Sequence, residues 1–129
     1  MKITETKIKK IIPYARNSRM NANAISKVAS SIKEFGFRVP IVVDHDCVVI
    51  AGHTRLEASK LLGLKKVPVH VAEGLTPQQV KAYRIADNRS AQDSDWDMEL
   101  LKLELEEIEA LDTTGFHEDE LAAILTEVT

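Results

Sequence analysis

A run of branched apolar residues passes through a glycine directly into a helical pattern, and this junction limits the fold more than any other stretch. Val48, Val49 and Ile50 are typical of a strand, Gly52 follows, and residues 54–62 show helical spacing. A strand that enters a helix in this way aims the first unpaired N–H groups of the helix, and the positive end of its dipole, at one point. The sequence therefore predicts an anion-binding site where the helix begins.

Four consecutive residues at the junction have the chemistry that an anion site needs. Gly52 lets a ligand approach the main chain, Thr54 is expected to cap the helix or donate its hydroxyl, and Arg55 to form a fork of hydrogen bonds to phosphate oxygens. His53 suits a hydrogen bond to phosphate or a role as general acid or base. The alternative is a structural turn with a surface arginine and an exposed histidine, and these residues alone do not decide between the two.

The rest of the chain alternates strands and helices over its first two thirds and is helical afterwards. The predicted elements are a strand at 6–12, a helix at 22–35 capped by Asn21 or Asn23 and stopped by Gly36, a hairpin of 41–43 and 48–50, a helix at 54–62 stopped by Gly63, a strand at 65–71, a helix at 77–89 with a Thr76/Gln79 capping box, and helices at 97–111 and 117–126. This order predicts an α/β fold, with a domain at 1–90 and a helical C-terminal extension packed on it at 91–129.

The charge distribution separates the chain into a basic front and an acidic rear. Residues 1–75 carry 13 lysines and arginines against 6 acidic residues, a net +7, whereas residues 76–129 carry 4 against 14, a net −10. The basic front suits phosphate or nucleic acid, and the acidic helices are poor candidates for a DNA-recognition helix. No apolar run approaches the roughly 20 residues of a membrane helix. We therefore expect a cytoplasmic protein without a membrane partner.

Residue types exclude several chemistries. The single cysteine, Cys47, rules out an internal disulfide and a zinc site of two or more thiolates, and its apolar surroundings predict a small buried hydrophobe. A Walker-type glycine run, a nucleophile elbow and a His-x-x-x-His pair are absent from the sequence. A two-metal nuclease would need several convergent carboxylates, and Glu57 is the one candidate near the junction in the basic half.

Asp87 and Asn88, at the predicted end of a helix, form a second candidate site. A carboxylate and an amide in this position suit Mg²⁺ that is already bound to phosphate. The alternative is ordinary C-terminal capping, with Arg89 bonding the last carbonyls. Arg16 and Arg19, in a polar loop of the basic half, are expected either to clamp the same anion or to be solvated.

Three ordered motifs give the sequence a specific resemblance to a known family. They are NSR, then SSIKEFGFRVPIVV with its hairpin, and then VIAGHTRLEASKLLG followed by VPVHV. In this order they resemble the ParB/sulfiredoxin-like domain, also called the ParB-like nuclease domain. The continuation LTPQQVKAYRIADNRSAQDSDWDMELL and the tail TGFHEDELAAIL resemble the N-terminal ParB-like domain of phage and prophage DNA methyltransferases. The resemblance implies a small mixed sheet with flanking helices.

The resemblance also implies a nucleotide-phosphate site at the junction. Arg19 matches the arginine of the family's first motif. Gly52 and Arg55 match the two ends of its Gly-Glu-Arg-Arg motif, and Asp87 with Asn88 resembles its Glu-Asn pair at the metal. The implied cofactor is Mg²⁺ bound together with a nucleotide.

Several positions depart from the family pattern. His53 and Thr54 stand where partition proteins have Glu and Arg, Glu57 replaces another arginine, and Ala91 stands where the third motif has its arginine. Fewer arginines leave less positive charge for a triphosphate, which argues against CTP binding and hydrolysis as in partition proteins. A sulfiredoxin would have its catalytic cysteine at the position of His53, so we do not expect sulfinic acid reduction.

The sequence leaves two functions open. The first is a binding module for nucleotide or DNA phosphates, working beside or fused to a DNA methyltransferase of phage or prophage origin, with a homodimer as a further expectation. The second is an enzyme of the same fold: a nuclease, a nucleotidase or CTPase, or a phosphotransferase. In that enzyme His53 or Glu57 would be the acid or base, Arg55 would hold the phosphate, and Asp87 would hold Mg²⁺.

Overall fold

The structure is a computed structural model that describes residues 1–15, 22–93 and 98–126, with the backbone alone for 88–93. The chain divides into two compact units, Met1–Gln92 and Asp93–Thr129. The elements in chain order are β1 (Thr4–Lys7), a 3-10 turn (Ile8–Lys10), α1 (Ala22–Phe35), β2 (Ile41–Val43), β3 (Val49–Ala51), α2 (His53–Leu61), β4 (Lys66–Val71), α3 (Pro77–Asp93), α4 (Met98–Glu106), a second 3-10 turn (Leu111–Thr114) and α5 (Glu118–Thr126). Within these ranges, every helix is too short or too polar to span a bilayer.

A four-stranded mixed sheet in the order β1-β4-β2-β3 forms the centre of the first unit. β1 pairs with β4 and β2 with β3 in antiparallel fashion, whereas β2 and β4 are parallel. The parallel pair requires a long crossover, which β3 and α2 supply because they lie between β2 and β4 in the chain. This arrangement confirms the predicted α/β fold with a small mixed sheet and flanking helices.

The core of this unit is built from branched apolar side chains. In β4, Val67 and Val69 are buried while Pro68 and His70 are half-buried, as the two-residue period of a strand requires. Leu56 brings the inner face of α2 onto the same core. Because Leu56 is fully buried, core packing holds the first turn of α2 in place. The buried cluster consists of Ile11, Ile41, Val43, Val49, Leu56, Val67 and Val69.

The boundaries of α1 follow the sequence pattern closely. The helix spans Ala22–Phe35, as predicted, and Gly36 ends it with φ +84°. The Gly36 N–H donates to the Ile32 carbonyl at 2.8 Å. The predicted N-cap Asn23 lies inside the helix, and Asn21 lies outside the described residues.

The N-terminus of α3 confirms the predicted capping box. The Thr76 N–H donates to Gln79 Oε1 at 2.9 Å, and the Gln79 N–H donates to Thr76 Oγ1 at 3.2 Å. The predicted end at residue 89 is wrong, because α3 continues to Asp93. Neither glycine nor proline follows Pro77 within the helix, so nothing in the sequence stops it earlier.

Two predictions near the sheet edges are wrong. β1 ends at Lys7 and gives way to the 3-10 turn, since the Ile8 N–H bonds the Lys65 carbonyl at 2.9 Å and bends the chain around β4. Cys47 lies half-buried in the β2–β3 turn with φ +63°, not buried within a strand. Asp44 Oδ1 sets this turn by accepting from the N–H groups of Asp46 and Val48 at 2.9 and 3.0 Å.

The second unit has a core of its own. Its buried residues are Leu101, Leu105, Leu121 and Ile124. α4 ends at Glu106, so the helix predicted over 97–111 is too long, and Ile108 lies beyond it with 40% of its surface exposed. The 3-10 turn at Leu111–Thr114 follows, and Gly115, with φ +88°, ends it ahead of α5.

Candidate phosphate-binding site

Gly52 makes the junction between β3 and α2 possible for two separate reasons. Its φ of +105° lies in the left-handed region, which side chains on L-residues rarely adopt. A Cβ at this position would also lie 3.3 Å from both Cα and Cγ1 of Ile41, in the neighbouring strand β2. The glycine thus allows the chain to turn from strand into helix while packed directly on the sheet.

The first turn of α2 presents backbone donors that have no acceptor inside the helix. The first helical hydrogen bond runs from the Leu56 N–H to the Gly52 carbonyl at 2.9 Å, so the N–H groups of His53, Thr54 and Arg55 have no carbonyl acceptor inside the helix. Gly52 is the N-cap and provides no side-chain cap. Thr54 therefore lies within the first turn, and its predicted role as the helix cap is wrong. The three N–H groups and the helix dipole favour an anion here.

His53 is held by a backbone donor from a distant part of the chain. The Tyr14 N–H donates to His53 Nε2 at 3.3 Å. Because a peptide N–H only donates, Nε2 must be unprotonated while this bond exists, and the neutral ring carries its proton on Nδ1. His53 thus has one ring donor, Nδ1–H, left for another partner.

Burial lowers the pKa of His53 below the 6.5 of an unperturbed histidine, and the positive charge of Arg84 lowers it further. The carboxylates of Glu57 and Asp87 act in the opposite direction, because they stabilise the imidazolium. The net shift is downward, so His53 is neutral at pH 7. The prediction of a neutral imidazole at the junction is consistent with this environment.

The lowered pKa of His53 predicts a specific pH dependence of stability. The unfolded chain takes up the proton first as the pH falls through 6.5, so the contribution of His53 to stability is complete above that pH and is lost as the pH falls through the lower folded-state pKa. Urea unfolding of the wild type and His53→Gln across this window checks it. We expect the wild type to lose more stability than the variant on acidification; parallel curves would contradict the assignment.

A buried arginine beneath this region was missed by the sequence reasoning. Arg84, on α3, is 8% exposed and donates from Nε to the Val49 carbonyl at 2.9 Å. Its NH2 lies 3.4 Å from Asp44 Oδ2, and its guanidinium carbon lies 4.0 Å from the centroid of the Tyr14 ring. The one available signal was its spacing of four residues from Val80, which is also buried, and this spacing places both on one helix face.

Arg55 and Glu57 differ in whether they form an ion pair with another described side chain. Arg55 is half-buried and makes no ion pair with the described part of the chain. Glu57 Oε1 lies 3.4 Å from Lys60 Nζ, at the i,i+3 spacing of a surface pair. Within the described residues Arg55 thus has no acidic partner, whereas Glu57 is partly neutralised by Lys60.

The second candidate site differs from its prediction. Asp87 is exposed and lies near enough to His53 to affect its pKa, which places it in the same region as the junction. Since α3 continues to Asp93, Asp87 and Asn88 do not lie at a helix end, and the predicted capping role of Asn88 and Arg89 is wrong. Arg16, Arg19 and the side chain of Asn88 lie outside what the structure describes.

The described side chains do not form a metal site by themselves. Among them, no group of three or more His, Cys, Asp or Glu residues converges on one point. Mg²⁺ commonly binds through one or two carboxylates together with substrate phosphates. Asp87 therefore suits Mg²⁺ only when the metal arrives with a phosphate ligand.

The fold and the junction together define a known class of protein. The family model of the ParB N-terminal domain matches residues 1–88 of the chain, so the chain belongs to the ParB N-terminal domain family. Its relatives include the ParB-like nuclease domain-containing protein YnaK of Escherichia coli K12, which is 36% identical over 80 residues, or 61% of this chain and 92% of that protein.

Solved structures agree with this fold. The chromosome-partitioning protein ParB from Caulobacter crescentus, complexed with CTP-gamma-S, matches 97% of this chain and 77% of its own with a TM-score of 0.78 and 23% identity. Sulfiredoxin from Arabidopsis thaliana matches 64% of this chain and 97% of its own with a TM-score of 0.55 and 26% identity. Both structures support the ParB/sulfiredoxin fold.

Proposed function

We propose that this protein is a binding module that takes the phosphates of a nucleotide at the first turn of α2. The observation that carries the proposal is the geometry of Gly52, whose positive φ and close packing on Ile41 open the helix N-terminus. Three backbone N–H groups then remain for an anion. A side chain at residue 52 would collide with Ile41 and displace this turn.

Two side chains of the same turn support the proposal. Arg55 is without an ion pair in the described residues, and its guanidinium suits the oxygens of a phosphate. His53 offers Nδ1–H as a donor because Nε2 is occupied by Tyr14. Cytidine triphosphate is the first ligand to test, since the ParB of Caulobacter crescentus, which has the same fold, was solved with CTP-gamma-S.

Mg²⁺ belongs to the proposal as a companion of the nucleotide. Asp87 would supply one carboxylate near His53. Phosphate oxygens and water would supply the other ligands of the metal. The metal would neutralise phosphate charge that the arginines of this chain do not. Titrations with and without Mg²⁺ separate the contribution of the metal from that of the helix N-terminus.

Replacing Arg55 with alanine is expected to weaken binding of CTP at least about tenfold, the loss of one charge-assisted interaction. Isothermal calorimetry with the full chain measures this change. Arg38→Ala is the matched control, because Arg38 is an exposed arginine that bonds the Phe35 carbonyl at the end of α1. Equal affinities of the wild type and Arg55→Ala would sink the proposal, as would equal losses in the two variants.

A separate basic surface supports binding of nucleic acid as well. Lys7, Ile8, Lys9, Leu64, Lys65 and Lys66 line a hollow of about 320 Å³. Lys7 lies directly opposite Lys66 in the antiparallel β1–β4 pair, although like charges in this position repel. Within the described residues, the four lysines make no ion pair. A polyanion such as a DNA backbone would relieve this repulsion.

The DNA arm of the proposal has its own test. Lys7→Glu with Lys66→Glu is expected to lower affinity for a duplex of about 20 base pairs more than tenfold at about 50 mM salt, where phosphate contacts are strongest. Fluorescence anisotropy measures the binding. The control is the double variant Lys33→Glu with Lys81→Glu, which changes the net charge by the same amount at exposed positions outside this surface. If both double variants lose the same affinity, net charge and not this surface is responsible.

An enzyme of the same fold is the second candidate, and one observation favours it. His53 is neutral and lies near Glu57 and Asp87, and it would act as a general base through Nε2 once the bond from the Tyr14 N–H is released. Phosphate release from each nucleoside triphosphate, and cleavage of labelled DNA, should then occur with Mg²⁺ and stop in His53→Ala. Activity that persists in His53→Ala and Arg55→Ala would belong to a contaminant.

We infer the association with a DNA methyltransferase and the phage or prophage origin from the segments after residue 74, which resemble those of phage and prophage DNA methyltransferases. We infer the homodimer from the resemblance of the whole domain to its family. Copurification of the tagged chain with a methyltransferase encoded beside it tests the first inference, and the mass from light scattering tests the homodimer. Recovery without a methyltransferase, or a monomer mass with and without CTP, would overturn the respective inference.

A further inference from the structure

A short chain of contacts connects Arg84 to His53. The guanidinium carbon of Arg84 lies 4.0 Å from the centre of the Tyr14 ring, within the range of a cation–π contact. The backbone N–H of the same tyrosine donates to His53 Nε2 at 3.3 Å. One residue, Tyr14, therefore separates the buried arginine of α3 from the first residue of α2.

The direction of the Tyr14 N–H is fixed from two sides. Ile12, two residues before Tyr14, is bound to the β2–β3 hairpin by two hydrogen bonds. Its N–H donates to the Cys47 carbonyl at 2.8 Å, and its carbonyl accepts from the Val49 N–H at 2.9 Å. Pro13 restricts the backbone between them. On the other side the Tyr14 ring is held by Arg84, which is itself bound to the Val49 carbonyl at 2.9 Å. Both anchors lead to the same hairpin.

This arrangement decides which nitrogen of His53 carries the proton. If the proton were on Nε2, two donors would face each other at the 3.3 Å that separates Tyr14 N from His53 Nε2. With Nε2 as acceptor, Nδ1–H is the ring donor, and a phosphate oxygen, which only accepts, is a suitable partner for it. The ring then contributes a hydrogen bond without a positive charge.

We propose that Arg84 is a positioning residue of the phosphate site: by holding Tyr14 it keeps Nε2 of His53 as an acceptor and Nδ1–H as the donor for phosphate. The last step rests on the proposed function, whereas the tautomer of His53 does not. Arg84 contacts Tyr14, Val49 and Asp44 and acts on the ligand through His53.

The charges around His53 act in the same sense as the contact with Tyr14. Arg84 and Asp87 face it from α3, and Glu57 faces it from α2. The positive charge of Arg84 adds to burial in lowering the pKa of His53, and the two carboxylates oppose it. Contact and charge thus both favour the neutral ring, and removal of Arg84 weakens both.

Nitrogen-15 NMR of the histidine rings tests the positional part without a ligand. At about pH 7.5, a unit above an unperturbed histidine, we expect the Nδ1–H tautomer of His53 in the wild type and a shift toward the Nε2–H tautomer in Arg84→Met. His70 is an internal control, because its Nδ1 lies 2.8 Å from the Lys2 carbonyl and must carry a proton in both proteins. Tyr14→Phe keeps ring and N–H and should match the wild type.

Calorimetry with CTP tests the functional part. Arg84→Met should weaken binding about tenfold, the loss of one hydrogen bond to a charged group. His53→Ala should weaken binding by the same factor. The double variant should bind no more weakly than either single variant, because all three lose the same hydrogen bond, from His53 Nδ1–H to the phosphate. Arg84→Lys keeps the positive charge but not the planar guanidinium group, and it should bind CTP more tightly than Arg84→Met and less tightly than the wild type.

Several results of these NMR and calorimetry experiments would contradict the proposed role of Arg84. An Nε2–H tautomer in the wild type, or an unchanged tautomer in Arg84→Met, overturns the proposal whatever the affinities. Additive losses in the double variant do so as well. If Arg84→Met does not fold, Tyr14→Leu takes its place, because it removes the ring contact and keeps the N–H. A wild type with the expected tautomer but without CTP binding refutes the proposed function and leaves the assignment of Arg84 to His53 standing.

Discussion

Replacing Gly52 with alanine is expected to lower the free energy of unfolding by about 3 kcal/mol, combining left-handed strain of about 1–2 kcal/mol with a similar cost of overpacking. The strain comes from φ +105°, and the overpacking from a Cβ 3.3 Å from the Ile41 backbone, which cannot move without disturbing β2. For a domain of this size the melting temperature should fall by about 10 °C. Thermal and urea unfolding measure both quantities.

Gly63→Ala is the matched control for this change. Gly63 also has a positive φ, +72°, but a Cβ there would meet nothing within 4 Å. Its expected cost is therefore the left-handed strain alone, about 1–2 kcal/mol. The difference between the two variants isolates the close packing of the junction on β2. Equal costs would show that this packing has no energetic weight.

Replacing Arg84 with methionine is expected to lower the free energy of unfolding by about 2–4 kcal/mol, because it leaves the buried Val49 carbonyl without its donor and removes the stacking on Tyr14. Arg84 is 8% exposed, so water does not replace these contacts without opening the unit. Methionine fills much of the volume, which confines the effect to the polar contacts. Urea unfolding at one pH measures it.

Two further variants divide the effect of Arg84. Asp44→Asn removes the charge from the 3.4 Å ion pair but keeps a neutral oxygen for Arg84 and for the turn bonds, so it should cost about 1–2 kcal/mol. Arg38→Met removes an exposed arginine and should cost less than about 0.5 kcal/mol. If Asp44→Asn costs as much as Arg84→Met, the ion pair and not the Val49 carbonyl is the main contact.

The sequence was sufficient where local chemistry determines the structure. Gly36 ends α1 as predicted, Thr76 and Gln79 form their capping box, and Gly52 joins strand to helix, because each depends on residues within one turn. Periodicity also predicted the alternation of strands and helices that gives the mixed sheet. For the same reason the candidate residues at the start of α2 could be named from sequence.

The sequence was insufficient where contacts distant in the chain decide. Arg84 was not among the predicted site residues, because its burial depends on the Val49 carbonyl, 35 residues earlier. The bond from Tyr14 to His53 spans 39 residues and leaves no local pattern. β1 ends early because the Ile8 N–H finds a carbonyl on the distant Lys65. No motif or period encodes such pairings.

The burial pattern of α3 has a consequence for the way the first unit opens. Of the side chains described between Pro77 and Asp87, the buried ones are Val80 and Arg84, one turn apart. Hydrogen exchange by local opening requires less free energy where fewer contacts are broken. We therefore expect the amide protons of α3 to exchange at a lower free-energy cost than those of the sheet.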